Sequence, residues 1–286
     1  MGHIRDRLIE EMELRGLSTA TKKMYVMCCR QFTAHFMKSP EQLGAVETKA
    51  FILHLIRERK ASPSAIGVYV AALRFLYRVV LRNQDAVDDL PRPKVPKRLP
   101  TVPSKEEVDL ILSTVRVLKY RTILTIAYGA GLRISEACRL RAADVDSTRM
   151  VLHIKQSKRG KDRLVPLSPR MLDALRRYWV AARPTASCLF PGRRPDVPIT
   201  KDAVRKVFKS AVAETSLKKR FTLHSLRHGF ATHLLDDGED VRVLQVVLGH
   251  SDVQTTAHYA RVTTRRLRQV KSPVDQLKGL QNALAK

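Results

Sequence analysis

Residues 91–103 read PRPKVPKRLPTVP, with five prolines in 13 positions. Each proline removes a backbone donor and pushes the residue before it toward extended geometry. Neither a helix nor a central strand runs through such a segment, so the chain must be built around it. With 286 residues there is room for two modest domains. The expected organisation is a helical N-terminal domain over 1–90, an extended linker over 91–103 and a larger C-terminal domain over 104–286. In polyproline II geometry, at about 3.1 Å per residue, the linker reaches roughly 40 Å.

Lys and Arg total 53 against 27 Asp and Glu, a formal net charge of +26, while 44% of residues are hydrophobic. That much apolar content belongs to a folded protein and not to a disordered basic tail. A field of this size calls for a polyanionic partner, nucleic acid ahead of an anionic membrane surface. No apolar run is expected to approach the ~20 residues of a membrane span. The opening MGHIRDRLIEEMEL is charged throughout and has no apolar region of signal-peptide type. Cys28, Cys29, Cys138 and Cys188 make no CxxC pair and no zinc-spaced Cys/His cluster, which points away from metal and disulfides and toward a reducing cytoplasm. No GxxxxGK[ST] loop is present, so ATP use is not implied. The linker's basic residues, Lys94, Lys97 and Arg98 among them, suit either a plain spacer or a contact to phosphates.

Before the linker the periodicity is helical, with three or four helices and no strand. Ser18 and Thr19 can cap a segment carrying Tyr25, Cys28, Cys29, Phe32 and Phe36. A second segment runs through Thr48, Phe51, Ile52, Leu55 and Ile56. A third follows Ser62-Pro63 through Ile66, Tyr69, Val70, Leu73, Leu76, Tyr77 and Val80. After the linker, Ser104 and Glu107 match a capping box, and another helix is expected over Tyr120–Tyr128. Residues 150–156 and 163–167 alternate apolar and polar around SKRGKD, which predicts a β-hairpin with Gly160 in its turn. Asp240 can cap a helix that ends at Gly249, and Ser251 with Gln254 predicts one more start signal. The fold class is mainly α with a small antiparallel β-hairpin or sheet.

Four patterns can carry chemistry. In Gly131-Leu-Arg133-Ile-Ser-Glu136, the i,i+3 pair Arg133 and Glu136 can hold a guanidinium as a fork for phosphate oxygens, or make an ordinary surface ion pair. In the hairpin turn, Lys158, Arg159 and Lys161 crowd together; one lysine can deliver a proton, or all three can simply bind phosphates. His224-Ser-Leu-Arg227-His228 sets an imidazole beside a permanent cation, which favours its neutral form, or else presents a basic face. His228 and His233 read as structural. Finally, Leu248-Gly-His250 precedes Tyr259 by nine residues from the histidine. A phenol is a weak nucleophile unless cations stabilise its anion, and a surface tyrosine is the plain alternative.

Taken in this order, the patterns resemble the tyrosine recombinase (phage integrase) family. TLHSLRHGFATHLL, VLQVVLGHSDVQTTAHYA and KDRLVPL look like its Xer-type and transposon-borne members. The resemblance implies a two-domain clamp on double-stranded DNA, with a core-binding domain followed by a catalytic domain. It implies that Arg133 and Arg227 bind the scissile phosphate and that Lys158 protonates the leaving 5′ oxygen. His224 would assist proton transfer, His250 would hydrogen-bond the phosphate, Tyr259 would attack phosphorus, and Glu136 would orient Arg133. Arg159, Lys161, Lys94, Lys97 and Arg98 would bind DNA. No metal or other cofactor is implied. The expected activity is site-specific recombination through a 3′-phosphotyrosyl intermediate and a Holliday junction, by a homotetramer on DNA that is monomeric when free. A cytoplasmic, nucleoid-associated location follows. The alternatives are a type IB topoisomerase-like enzyme and a catalytically idle architectural DNA-binding protein. The residues after Pro273 place Val274, Leu277, Leu280 and Leu284 at helical spacing, for packing in cis or docking on a neighbouring protomer.

Overall fold

The computed structural model describes residues 2–91, 93–94, 100–155, 162–184 and 188–249. It divides into two compact units, Met1–Arg98 and Leu99–Lys286, each with its own apolar core.

Among its described residues the first unit holds four α-helices: α1 (Gly2–Leu14), α2 (Thr19–Phe36), α3 (Ala45–Arg57) and α4 (Pro63–Phe75), the last continuing as a π-helical turn over Leu76–Leu81. Local chemistry sets these starts. Ser18 Oγ accepts the Thr21 N–H, and Ser62 Oγ accepts the Ala65 N–H with Pro63 in the first turn. Phe32, Phe51, Leu73 and Tyr77 fill the centre, and the buried Tyr77 hydroxyl lies 2.9 Å from the carbonyls of Pro40 and Leu43. The aromatic side chains of this unit are thus largely core groups.

One expectation needs correction. Residues Pro63–Leu81 form a 19-residue helical segment of mean hydropathy 1.6, long and apolar enough by length and composition to cross a membrane. Arg74 and Arg78 interrupt the run without lowering its average enough to matter. Its Leu73, Leu76, Tyr77 and Val80 are at most 1% exposed and belong to the unit's core.

The second unit begins with α5 (Lys105–Thr114), whose Ser104 and Glu107 form the expected reciprocal cap. There follow α6 (Leu118–Gly129), the short α7 (Ile134–Cys138), strands β1 (Val145–Asp146), β2 (Val151–Ile154) and β3 (Arg163–Pro166), then α8 (Pro169–Ala182), α9 (Lys201–Glu214), α10 (Leu223–Asp236) and α11 (Val241–Leu248). The strands make an antiparallel sheet in the order β1-β2-β3, with Leu152 opposite Val165 and Ile154 opposite Arg163. The expected hairpin is therefore one side of a three-stranded sheet. Alternation buries Leu152, Ile154 and Val165 and turns their neighbours outward. The hairpin turn at 156–161 and everything from His250 onward, including the Ser251 cap and the C-terminal segment, lie outside the described residues.

Candidate active site

The site forms where α6 ends. Gly131 adopts φ +60°, and a Cβ there would lie 2.3 Å from Phe230 Cδ1 and 3.0 Å from Leu248 Cδ2. Only glycine fits both demands. The turn delivers Arg133 as the N-cap of α7, one position before the helix. Glu136 then reaches back, its Oε2 accepting the Arg133 N–H at 2.8 Å and its Oε1 accepting from Arg133 Nη1 at 2.9 Å.

Glu136 also receives a second guanidinium. Arg163, at the start of β3, donates Nη1 to Oε1 at 3.1 Å and Nη2 to Oε2 at 2.8 Å, a two-bond fork in which both side chains are 7% exposed. A third, Arg227 Nη1, stands 4.0 Å from Oε2. Arg227 projects from α10, is itself buried, and donates Nη1 to the Gly131 carbonyl at 2.6 Å and Nη2 to the Leu248 carbonyl at 2.7 Å. Three guanidiniums thus gather on one carboxylate, and the cluster keeps a net positive charge. Such a cluster is completed by an anion.

The charges also set protonation. Burial pushes the Glu136 carboxyl up, but the hydrogen bond and charge of Arg163, with the bonds from Arg133, outweigh it and hold it below the ordinary carboxylate value. His224, in the first turn of α10, is pulled below the usual imidazole value by burial and then by the charges of Arg227 and Arg133. It is neutral at pH 7 and can accept a proton.

The structure therefore brings Arg133, Glu136, His224 and Arg227 into one neighbourhood. Lys158, Arg159, Lys161, His250, Tyr259, Lys97 and Arg98 lie outside the described residues, and Lys94 is exposed in the first unit. Just after β2, Lys155 pairs with the buried Asp144 at 2.9 Å. His233 is structural, its Nδ1 2.8 Å from the Tyr128 hydroxyl. Arg163 is the residue that sequence reasoning missed. A charged residue opening an alternating strand reads as solvent-facing, and its partners lie 27 and 84 positions away.

Comparison with known proteins gives the family. Residues 102–266 match the phage integrase family and residues 4–85 the phage integrase N-terminal SAM-like domain. The chain belongs to the phage integrase family of tyrosine recombinases. It is 44% identical over 278 residues to "Putative integrase/recombinase y4qK" of Sinorhizobium fredii, covering 97% of this chain and 90% of that protein. It is 34% identical to "Tyrosine recombinase XerA" of Thermococcus onnurineus, covering 96% of this chain and 98% of the relative. Its fold is similar to the crystal structure of XerH site-specific recombinase bound to palindromic difH substrate, with TM-score 0.72, 20% identity, and coverage of 89% of this chain and 80% of that one.

Proposed function

We infer that the protein is a site-specific DNA recombinase that cuts and rejoins double-stranded DNA through a 3′-phosphotyrosyl intermediate, with strand exchange through a Holliday junction. The observation that carries this reading is the gathering of Arg133 and the buried Arg163 and Arg227 on the single carboxylate of Glu136, beside His224.

In this reading Arg133 and Arg227 hold the non-bridging oxygens of a phosphodiester. Backbone carbonyls at Gly131 and Leu248 and the carboxylate of Glu136 pre-aim them, so no reorganisation is needed as charge develops. The Tyr259 hydroxyl attacks phosphorus while His224 takes its proton. A phosphotyrosyl bond forms as the bond to the 5′ oxygen breaks. Lys158 gives that oxygen a proton, and His250 hydrogen-bonds the phosphate. One phosphate ester replaces another, so rejoining needs no ATP. Arg159, Lys161, Lys94, Lys97 and Arg98 add contacts to the DNA backbone. Residues 1–90 act as the core-binding domain, 91–103 as the linker and 104–286 as the catalytic domain. The working form is a homotetramer on DNA, monomeric when free, in the cytoplasm at the nucleoid.

The test starts from DNA trapped covalently on the protein in cells. Its sequence, rebuilt as a nicked duplex, should yield a covalent adduct with the wild-type chain. Tyr259→Phe should bind the same duplex and form none. An adduct persisting in Tyr259→Phe contradicts the nucleophile assignment.

A further inference from the structure

Arg163 makes three bonds that no other side chain could make together. Its Nη1 and Nη2 grip the two oxygens of Glu136, and its Nε donates to the Val247 carbonyl at 2.8 Å. The next carbonyl along, Leu248, is taken by Arg227. These belong to the last turn of α11, where backbone carbonyls have no partner within the helix. Two guanidiniums therefore cap that end side by side. One is Arg227, assigned above to the phosphate. The other is Arg163, which the same carboxylate links to Arg133.

Gly249 completes the fit. It adopts φ +63°, and a Cβ at that position would lie 3.0 Å from Arg163 Cδ and 3.3 Å from Nε. The chain passes so close to the guanidinium that any larger residue would press on it. Lysine could not replace this arrangement, since one ammonium cannot grip a carboxylate with two bonds and reach a carbonyl on the other side.

We propose that Arg163 is a positioning residue for DNA cleavage: it fixes Glu136, and through Glu136 the Arg133 fork, against the end of α11 where Arg227 is also anchored. Arg133 and Arg227 are then held at a set spacing by one rigid group. This rests on the recombinase reading above. A misplacement on the order of 1 Å in such a frame can cost about 10²-fold in rate.

The experiment uses the full chain and the nicked duplex, and measures single-turnover adduct formation, DNA affinity and thermal unfolding. The variants are Arg163→Met, Arg163→Lys, Glu136→Gln and the Arg163→Met/Glu136→Gln pair. Arg163→Met should slow adduct formation by about 10²-fold while DNA affinity stays within about twofold. Arg163→Lys should recover only part of the rate. In the Glu136→Gln background, Arg163→Met should cost little more, because both act through one contact. The proposal is overturned if Arg163→Met cleaves at the wild-type rate, if the two losses multiply, or if rate, affinity and stability fall together with Arg163→Lys no better. Should Arg163→Met fail to fold, Arg163→Lys decides: slower cleavage at unchanged affinity supports the proposal, and an unchanged rate overturns it. A wild-type chain that forms no adduct counts against the recombinase reading instead.

Discussion

Arg227 donates to the carbonyl of Gly131 across 2.6 Å, joining residues 96 positions apart. The contact ties the glycine turn that presents Arg133 to the helix that carries His224. Gly131 is held in the left-handed region and touches Phe230 with no room for a side chain. Gly131→Ala should therefore destabilise the C-terminal unit by about 2 kcal/mol, from backbone strain together with overpacking. Thermal or denaturant unfolding measures it, and an unchanged midpoint would contradict the account.

Removing the carboxylate charge from the cluster should be felt in stability as well as rate. Glu136→Gln leaves Arg163 buried without a counter-charge, and breaking a pair of this kind costs about 3–5 kcal/mol. The folded carboxyl lies below its unfolded value, so its contribution is present above about pH 4.3 and is lost as pH falls through the lower folded value. Melting curves from pH 7 to pH 3 should show a shallower acid dependence in Glu136→Gln than in the wild type.

His224 gives a second pH signature of the same sign. Its folded value is lowered, so the neutral imidazole persists below the ordinary ~6.5, and protonation at lower pH opposes folding. Imidazole resonances of the DNA-free chain, assigned with His224→Gln, should place its midpoint under 6.5. A midpoint at or above that value would mean that burial and the two arginines do not govern it. Adduct formation should likewise hold its rate from pH 8 to about 6.5 and fall only below.

The net charge of +26 should make DNA binding steeply salt-dependent, by about 0.9 in the log–log slope for each phosphate neutralised. Exposed Lys94 is one expected contact. Lys94→Gln should reduce the slope by roughly one such step, and an unchanged slope would remove it from the interface.

What the sequence made legible was local. Ser18, Ser62, Ser104 and Asp240 cap helices through bonds spanning two or three residues, and Gly249 ends α11 in the left-handed conformation. Such chemistry is written in neighbouring letters. The first turns around Arg133 and His224 were legible for the same reason. By contrast, β1 is two residues long and has no period to detect. Of the helices, α1 carries its buried Ile4, Leu8 and Met12 in a strongly charged stretch and went unmarked, as did α8 and α9. The role of Arg163 depends on Glu136 and Val247, which only the tertiary fold brings to it.

The central claim is that one tyrosine becomes bonded to DNA. Peptide mapping of the adduct trapped on the nicked duplex tests it most directly. The expected result is a single modified peptide carrying a nucleotide 3′-phosphate on the Tyr259 oxygen. A nucleotide found on any other side chain, or cleaved DNA with no protein attached, would contradict it.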